Sequence, residues 1–173
     1  MLSARGLSVR ANDLDLFAEP ETAKRLAQAL GADAASVLDD VDAPGGLRGR
    51  PDAPPPNYAS AYFARLQVEG VGVDVVGGLA RRYPGGIYRV PLTKAGVDAR
   101  VVGDGWQAPL HRAEEWLVLY WLHPKGDGRE QRLETYLRQG HLDRRYLEDI
   151  LSRRTLPERV MEQGRRLLAE AAG

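Results

Sequence analysis

Hydrophobic and polar residues alternate along residues 9–17, where Leu14 and Leu16 interleave with Asp13, Asp15 and Phe17. A period of two predicts a strand with both aspartates on one face. Glu19-Pro20-Glu21 then opens a helix, because proline is tolerated in a first turn and acids complement the helix dipole there. Ala23, Leu26, Ala27 and Leu30 form its apolar stripe, and Gly31 stops it. Residues 33–57 are small, acidic and proline-rich, a long surface excursion with room for a short helix or strand at 34–41. Residues 63–68 and 71–76 read as strands joined by the turn pair Glu69-Gly70, hence a hairpin. Further strands are expected at 87–92 and 99–102, with Gly103-Asp104-Gly105 as a turn before Trp106.

The period changes after Pro109. Residues 110–122 form a nearly continuous apolar helix whose breadth predicts burial on more than one side. The stretch from His123 to Gly128 breaks it, and three more helices are expected at 130–138, 142–153 and 157–171. The fold class is therefore α+β: a mixed β-sheet flanked by helices, with a C-terminal helical segment. The expected division is an α/β core over 1–108 and a helical segment over 109–173, packed together as one compact unit.

Composition narrows the chemistry. The chain has 173 residues, 24 Lys+Arg against 24 Asp+Glu, and a pI near 6.8. That balance argues against bulk electrostatic binding of nucleic acid, so an anionic ligand must be met locally. Residues 125–173 hold 11 basic against 9 acidic residues, which disfavours an RNA-binding regulator built on the helical half. The absence of cysteine excludes a thiolate site and a cysteine nucleophile, and three scattered histidines leave little for a histidine-rich metal site. No apolar run reaches the roughly 20 residues of a membrane helix, and residues 1–10 carry no signal-peptide core. A cytoplasmic protein without a membrane partner is expected.

Carboxylates remain as metal ligands. Asp13 and Asp15 lie about 6 to 7 Å apart by strand rise, close enough to share a hard cation. A third acid, Asp74, sits among Val71, Val73, Val75 and Val76 on the face opposite Val71, Val73 and Val75. An acid inside an apolar strand needs a partner. If its strand lies beside the first, the three acids converge into an oxygen-only site for Mg²⁺ or Mn²⁺. The plainer alternatives are a solvated strand edge or helix-capping turn for Asp13 and Asp15, and an ion pair with Arg10 or Arg65 for Asp74. The glycines at 77–78 and 85–86 match no phosphate-loop fingerprint and read as turns. His111, His123 and His141 lack ligand spacing, Trp106, Trp116 and Trp121 read as packing residues, and Tyr83 and Tyr88 are open to contact with a base.

The pattern Asp13-Leu14-Asp15-Leu16 followed by a helix, then a hairpin ending in Val73-Asp74-Val75-Val76, resembles the acid triad of the nucleotidyltransferase superfamily. The likeness is in particular to the small bacterial minimal nucleotidyltransferases and the related abortive-infection toxin domains, over roughly residues 3–140. The resemblance implies transfer of a nucleoside monophosphate from a triphosphate such as ATP to a hydroxyl on a small molecule, protein or RNA, with two divalent ions held by Asp13, Asp15 and Asp74. It implies that Asp74 holds the catalytic ion and helps deprotonate the acceptor. Lys125 and Arg129, after the apolar helix, are the candidates for triphosphate contacts, against a plainer reading as solvated residues around a helix break. One departure concerns the Gly-Gly or Gly-Ser turn that this family carries ahead of its first aspartates. Here Ser3 stands near the minimum spacing but follows Leu2. Either the start lies upstream of Met1, or the phosphate cradle is lost. The second case implies a catalytically impaired module that binds nucleotide or a protein partner, as in a toxin and antitoxin pair.

Overall fold

The computed structural model describes residues 13–32, 42–43, 47–48, 57–93, 96–103, 106–124, 126–153 and 155–171. The fold is α+β, and the chain parts into two compact units with the break at Leu92/Thr93. The strands that run up to residue 111 thus divide between the units, whereas the sequence pattern placed the break at 108/109.

The first unit is built on a three-stranded sheet. Strand β1 (Asp13–Ala18) leads into helix α1 (Pro20–Ala29), and after the excursion come β5 (Tyr62–Val68) and β6 (Val71–Gly77). Between them lie β2 (Asp42–Ala43), paired with β3 (Leu47–Arg48), and β4 (Asn57–Ala59). Strand β6 is central, parallel to β1 and antiparallel to β5, in the order β1-β6-β5. A parallel neighbour requires a crossover, and α1 lies within it. The β5–β6 turn is the Glu69-Gly70 pair anticipated from sequence, both residues in the left-handed region at φ 51° and 81°. That is the two-residue geometry whose twist suits a hairpin.

Alternation assigns the two faces. Leu16 and Ala18 of β1, Val73 and Val75 of β6, and Tyr62, Ala64, Leu66 and Val68 of β5 pack against Ala23, Ala27, Leu26 and Leu30 of α1. Ala23, Ala27, Ala64 and Val75 are fully buried, and small residues on both sides let the helix approach closely. At Gly77 a Cβ would stand 2.8 Å from the Pro20 backbone, so glycine is what admits the start of α1 over the end of β6. A second sheet, β4-β7-β8, adds β7 (Ala80–Tyr83) and β8 (Gly86–Arg89). In it the guanidinium of Arg81 is buried and stacks 3.8 Å over the Tyr58 ring. Burial pulls the Arg81 guanidinium below its usual range, against an opposing effect of Tyr58.

The second unit pairs β9 (Val97–Gly103) with β10 (Trp106–His111) and continues into helices α2 (Ala113–Leu122), α3 (Arg129–Tyr136), α4 (Arg144–Arg153) and α5 (Glu158–Glu170). The sequence reading began the first of these helices at 110. Residues 106–111 instead pair with β9, and Leu110 lies opposite Ala99. All of α2 is buried, and α3, α4 and α5 pack around it. Among the described residues no helix is long and apolar enough to cross a membrane.

Two acids ride inside α2. Glu115 Oε1 accepts a 2.8 Å hydrogen bond from the Tyr146 hydroxyl of α4. Glu114 Oε1 accepts the backbone N–H of Asp143 at 2.8 Å, and Glu114 Oε2 has no partner among the described residues. Asp143 caps α4 through the Tyr146 N–H at 3.0 Å and pairs with Arg112 at 2.9 Å. Burial raises the Glu114 carboxyl above its ordinary range; the Asp143 N–H and Arg112 oppose this, and Asp98 adds to it.

A carboxyl whose folded-state value is raised holds its proton longer in the native than in the unfolded chain. Stability from Glu114 is therefore present in acid and is lost as pH rises above about 4.5 through the raised value. Melting curves from acid to neutral pH are expected to show a steeper decline in the wild type than in Glu114→Gln. Parallel pH profiles would contradict the assignment.

Candidate functional site

The face of the β1-β6-β5 sheet turned away from α1 carries the acids singled out from the sequence. Register places Asp15 opposite Asp74, and Asp74 opposite Arg65, in one row across three strands. The next row is Phe17, Val76 and Phe63, and the row on the other side is Asp13, Gly72 and Gln67. A charged row is thus bordered by an apolar row and by a row whose middle position has no side chain.

Asp74 is 8% exposed, as expected for an acid in a run of valines. Its charge is met by Arg65 in a two-pronged contact: Nε donates to Oδ1 at 2.7 Å and Nη2 donates to Oδ2 at 2.6 Å. The fork geometry of guanidinium matches a carboxylate and engages both oxygens at once. Of the two partners weighed from sequence, Arg65 is seen in this role. Its side chain is 61% exposed against 11% for Asp74, and it lies 5.7 Å from the Phe63 ring. Water screens the outer half of this pair, so its net contribution is nearer ~1 kcal/mol than the several of a fully buried pair.

Asp15 is exposed beside this pair. The backbone of Asp13 pairs with Gly72, while its side chain lies outside the described part of the structure. Ser3 and Lys125 also fall outside the described residues. Arg129 opens α3 in the second unit, where its Nε pairs with Asp127 at 2.7 Å. Burial lowers the Arg129 guanidinium, but the charge of Asp127 and contact with Tyr120 outweigh this and raise it. The structure thus brings Asp15 and Asp74 together and gives Arg129 an acidic neighbour of its own.

Tyr83 and Tyr88, considered as base contacts, are buried in the β7-β8 hairpin. Trp116 and Trp121 are buried in α2 as packing residues, and Trp121 Nε1 donates to Glu134 at 2.9 Å. A shallow depression of about 290 Å³ on α3, lined by Gln131, Arg132, Thr135, Tyr136 and Gln139, contains none of the acids. Sequence reasoning left Arg65 as a counter-ion only; its position in the row, two residues along β5 from Phe63, makes it part of the site. No protein-family model, curated protein or solved structure matches the chain.

The donors fit a hard divalent cation in kind, being carboxylate oxygens without sulfur or imidazole. Among the described residues no group of three or more His, Cys, Asp or Glu stands where it could hold a metal ion; Asp15 and Asp74 are two carboxylates at facing positions of neighbouring strands.

The exposure difference across the ion pair has a direct consequence. Truncating Arg65 strands a buried carboxylate, whereas neutralising Asp74 leaves a guanidinium that water solvates. In urea denaturation Arg65→Ala is expected to cost about 2 kcal/mol and Asp74→Asn about half that. Asp15→Asn is expected to stay within about 0.5 kcal/mol. A larger loss for Asp74→Asn than for Arg65→Ala would contradict this picture of the pair.

Proposed function

We propose that the acid row of β1 and β6 is the cation site of a metal-dependent nucleotidyltransferase, which moves a nucleoside monophosphate from a triphosphate to an acceptor hydroxyl. The observation that carries the proposal is the register: Asp15 lies directly across from Asp74 on a parallel neighbour, two residues beyond Asp13 on the same strand. The resemblance of the Asp13-Leu14-Asp15 and Val73-Asp74-Val75 segments to the family's triad supports the same reading.

In this reading Asp15 and Asp74, with Asp13, hold Mg²⁺ or Mn²⁺. Bound there, such ions stabilise the leaving pyrophosphate and make the acceptor hydroxyl more acidic. Asp74, shielded from water, presents a fixed negative charge at the centre of the sheet. Asp15 presents a second from the exposed edge strand. Arg65 adds a guanidinium on the same face, a donor suited to phosphate oxygens.

The Arg65 contact also favours a second reading. With both Asp74 oxygens engaged by a guanidinium, the row is neutralised in part without any metal. That suits a catalytically impaired module of the same fold, binding nucleotide or a protein partner.

Mn²⁺ together with a nucleoside triphosphate is expected to raise the melting temperature of the wild type, because the ligands bind only the folded row. The double variant Asp13→Asn, Asp15→Asn should lose the shift, and an unchanged shift would remove the acid row from consideration. Release of pyrophosphate with labelling of an acceptor in total RNA or lysate separates the two readings. Binding without transfer selects the impaired module.

A further inference from the structure

Resting on the cation-site reading above, we infer that Arg65 is a tethered counter-ion that a divalent cation must displace from Asp74, so that this one guanidinium sets the cation affinity of the acid row. Both Asp74 oxygens are occupied, at 2.7 Å by Nε and 2.6 Å by Nη2. A metal drawn to either oxygen approaches a unit positive charge a few ångströms away, and the two cations repel. The carboxylate is nearly enclosed, with 11% of its side chain exposed, so it has little free edge from which to serve both.

Arginine keeps its charge throughout the accessible pH range, so protonation cannot release it. Displacement has to come from competition. The guanidinium is built for it: 61% of the side chain is exposed, and it stands on β5, the edge strand of the sheet, beside Phe63 rather than inside the core. Once off Asp74, its planar fork matches the oxygens of a phosphate chain as well as it matched the carboxylate. A triphosphate therefore gives Arg65 a second anionic partner and Asp74 back to the cation. Cation and triphosphate bind cooperatively through this exchange, and either alone meets the closed pair. Asp15, one strand away, is the donor from which the incoming cation reaches Asp74.

The test is direct titration of Mn²⁺, with free ion counted by electron paramagnetic resonance, for wild type, Arg65→Gln, Arg65→Lys and Asp15→Asn, each with and without a non-hydrolysable ATP analogue. Removing the competing charge in Arg65→Gln is expected to tighten Mn²⁺ binding about tenfold. Arg65→Lys, which keeps the charge but contacts Asp74 through one point, should fall between. The ATP analogue should improve Mn²⁺ affinity more in the wild type than in Arg65→Gln. Circular dichroism confirms folding of each variant, and if Arg65→Gln does not fold, Arg65→Lys carries the comparison, with severalfold tighter binding than wild type expected. Equal or weaker Mn²⁺ binding in the Arg65 variants, with binding by wild type that Asp15→Asn abolishes, overturns the counter-ion role and leaves the cation site standing. No retention of Mn²⁺ by any of the proteins overturns both.

Discussion

The parallel pairing of β1 with β6 is the constraint on which the first unit depends. It aligns Leu16 with Val75 on the face that α1 covers and Asp15 with Asp74 on the face that α1 leaves. Because side chains alternate strictly along a strand, a slip of one residue would carry an aspartate toward the helix and a leucine away from it. The apolar packing of α1 thus enforces the register, and the register assembles the acid row. Core and site are two readings of one backbone ladder.

Arg65 follows from the same geometry. A carboxylate at the centre of a sheet has lost most of its water and requires a counter-charge. The adjacent strand supplies one at the position directly opposite. In the proposed cation-site reading, what stabilises the row is also what a cation would have to overcome, so fold stability and ligand affinity pull on the same residue. Such opposition is common where charged groups are arranged for binding rather than for the folded state alone. In the second unit the buried acids of α2 have a different character: Glu114 and Glu115 fasten α2 to the start of α4 through an N–H and a hydroxyl.

Local signals were legible where a short stretch carries its own geometry. The Asp13-Leu14-Asp15 alternation, the stripe of α1, the Glu69-Gly70 turn and the apolar breadth of α2 each predict the element that forms. Long-range facts were not. Nothing in the composition of residues 62–68 distinguishes Arg65 from Arg10 as the partner of Asp74; the antiparallel register does. Strand β7 gives no sequence signal because Arg81 and Arg82 break the apolar pattern; the buried Arg81 stacks on Tyr58 from another strand. The end of strand β10 reads as part of the helix that follows because Leu110 continues the apolar run, while its pairing is with Ala99 on β9. Glu114 and Glu115 look like a solvated first helical turn until α4 is placed against them.

The proposed cation site requires that Asp15 and Asp74 hold one cation between them. Its most direct test is an anomalous difference map from crystals of the full chain grown with Mn²⁺ and a non-hydrolysable nucleoside triphosphate. The expected map has a peak bonded to carboxylate oxygens of both Asp15 and Asp74, with the Arg65 guanidinium moved off Asp74 and onto a phosphate. An ordered β1-β6-β5 sheet with no peak at these residues, Arg65 still forked onto Asp74 and the ion bound elsewhere would contradict it.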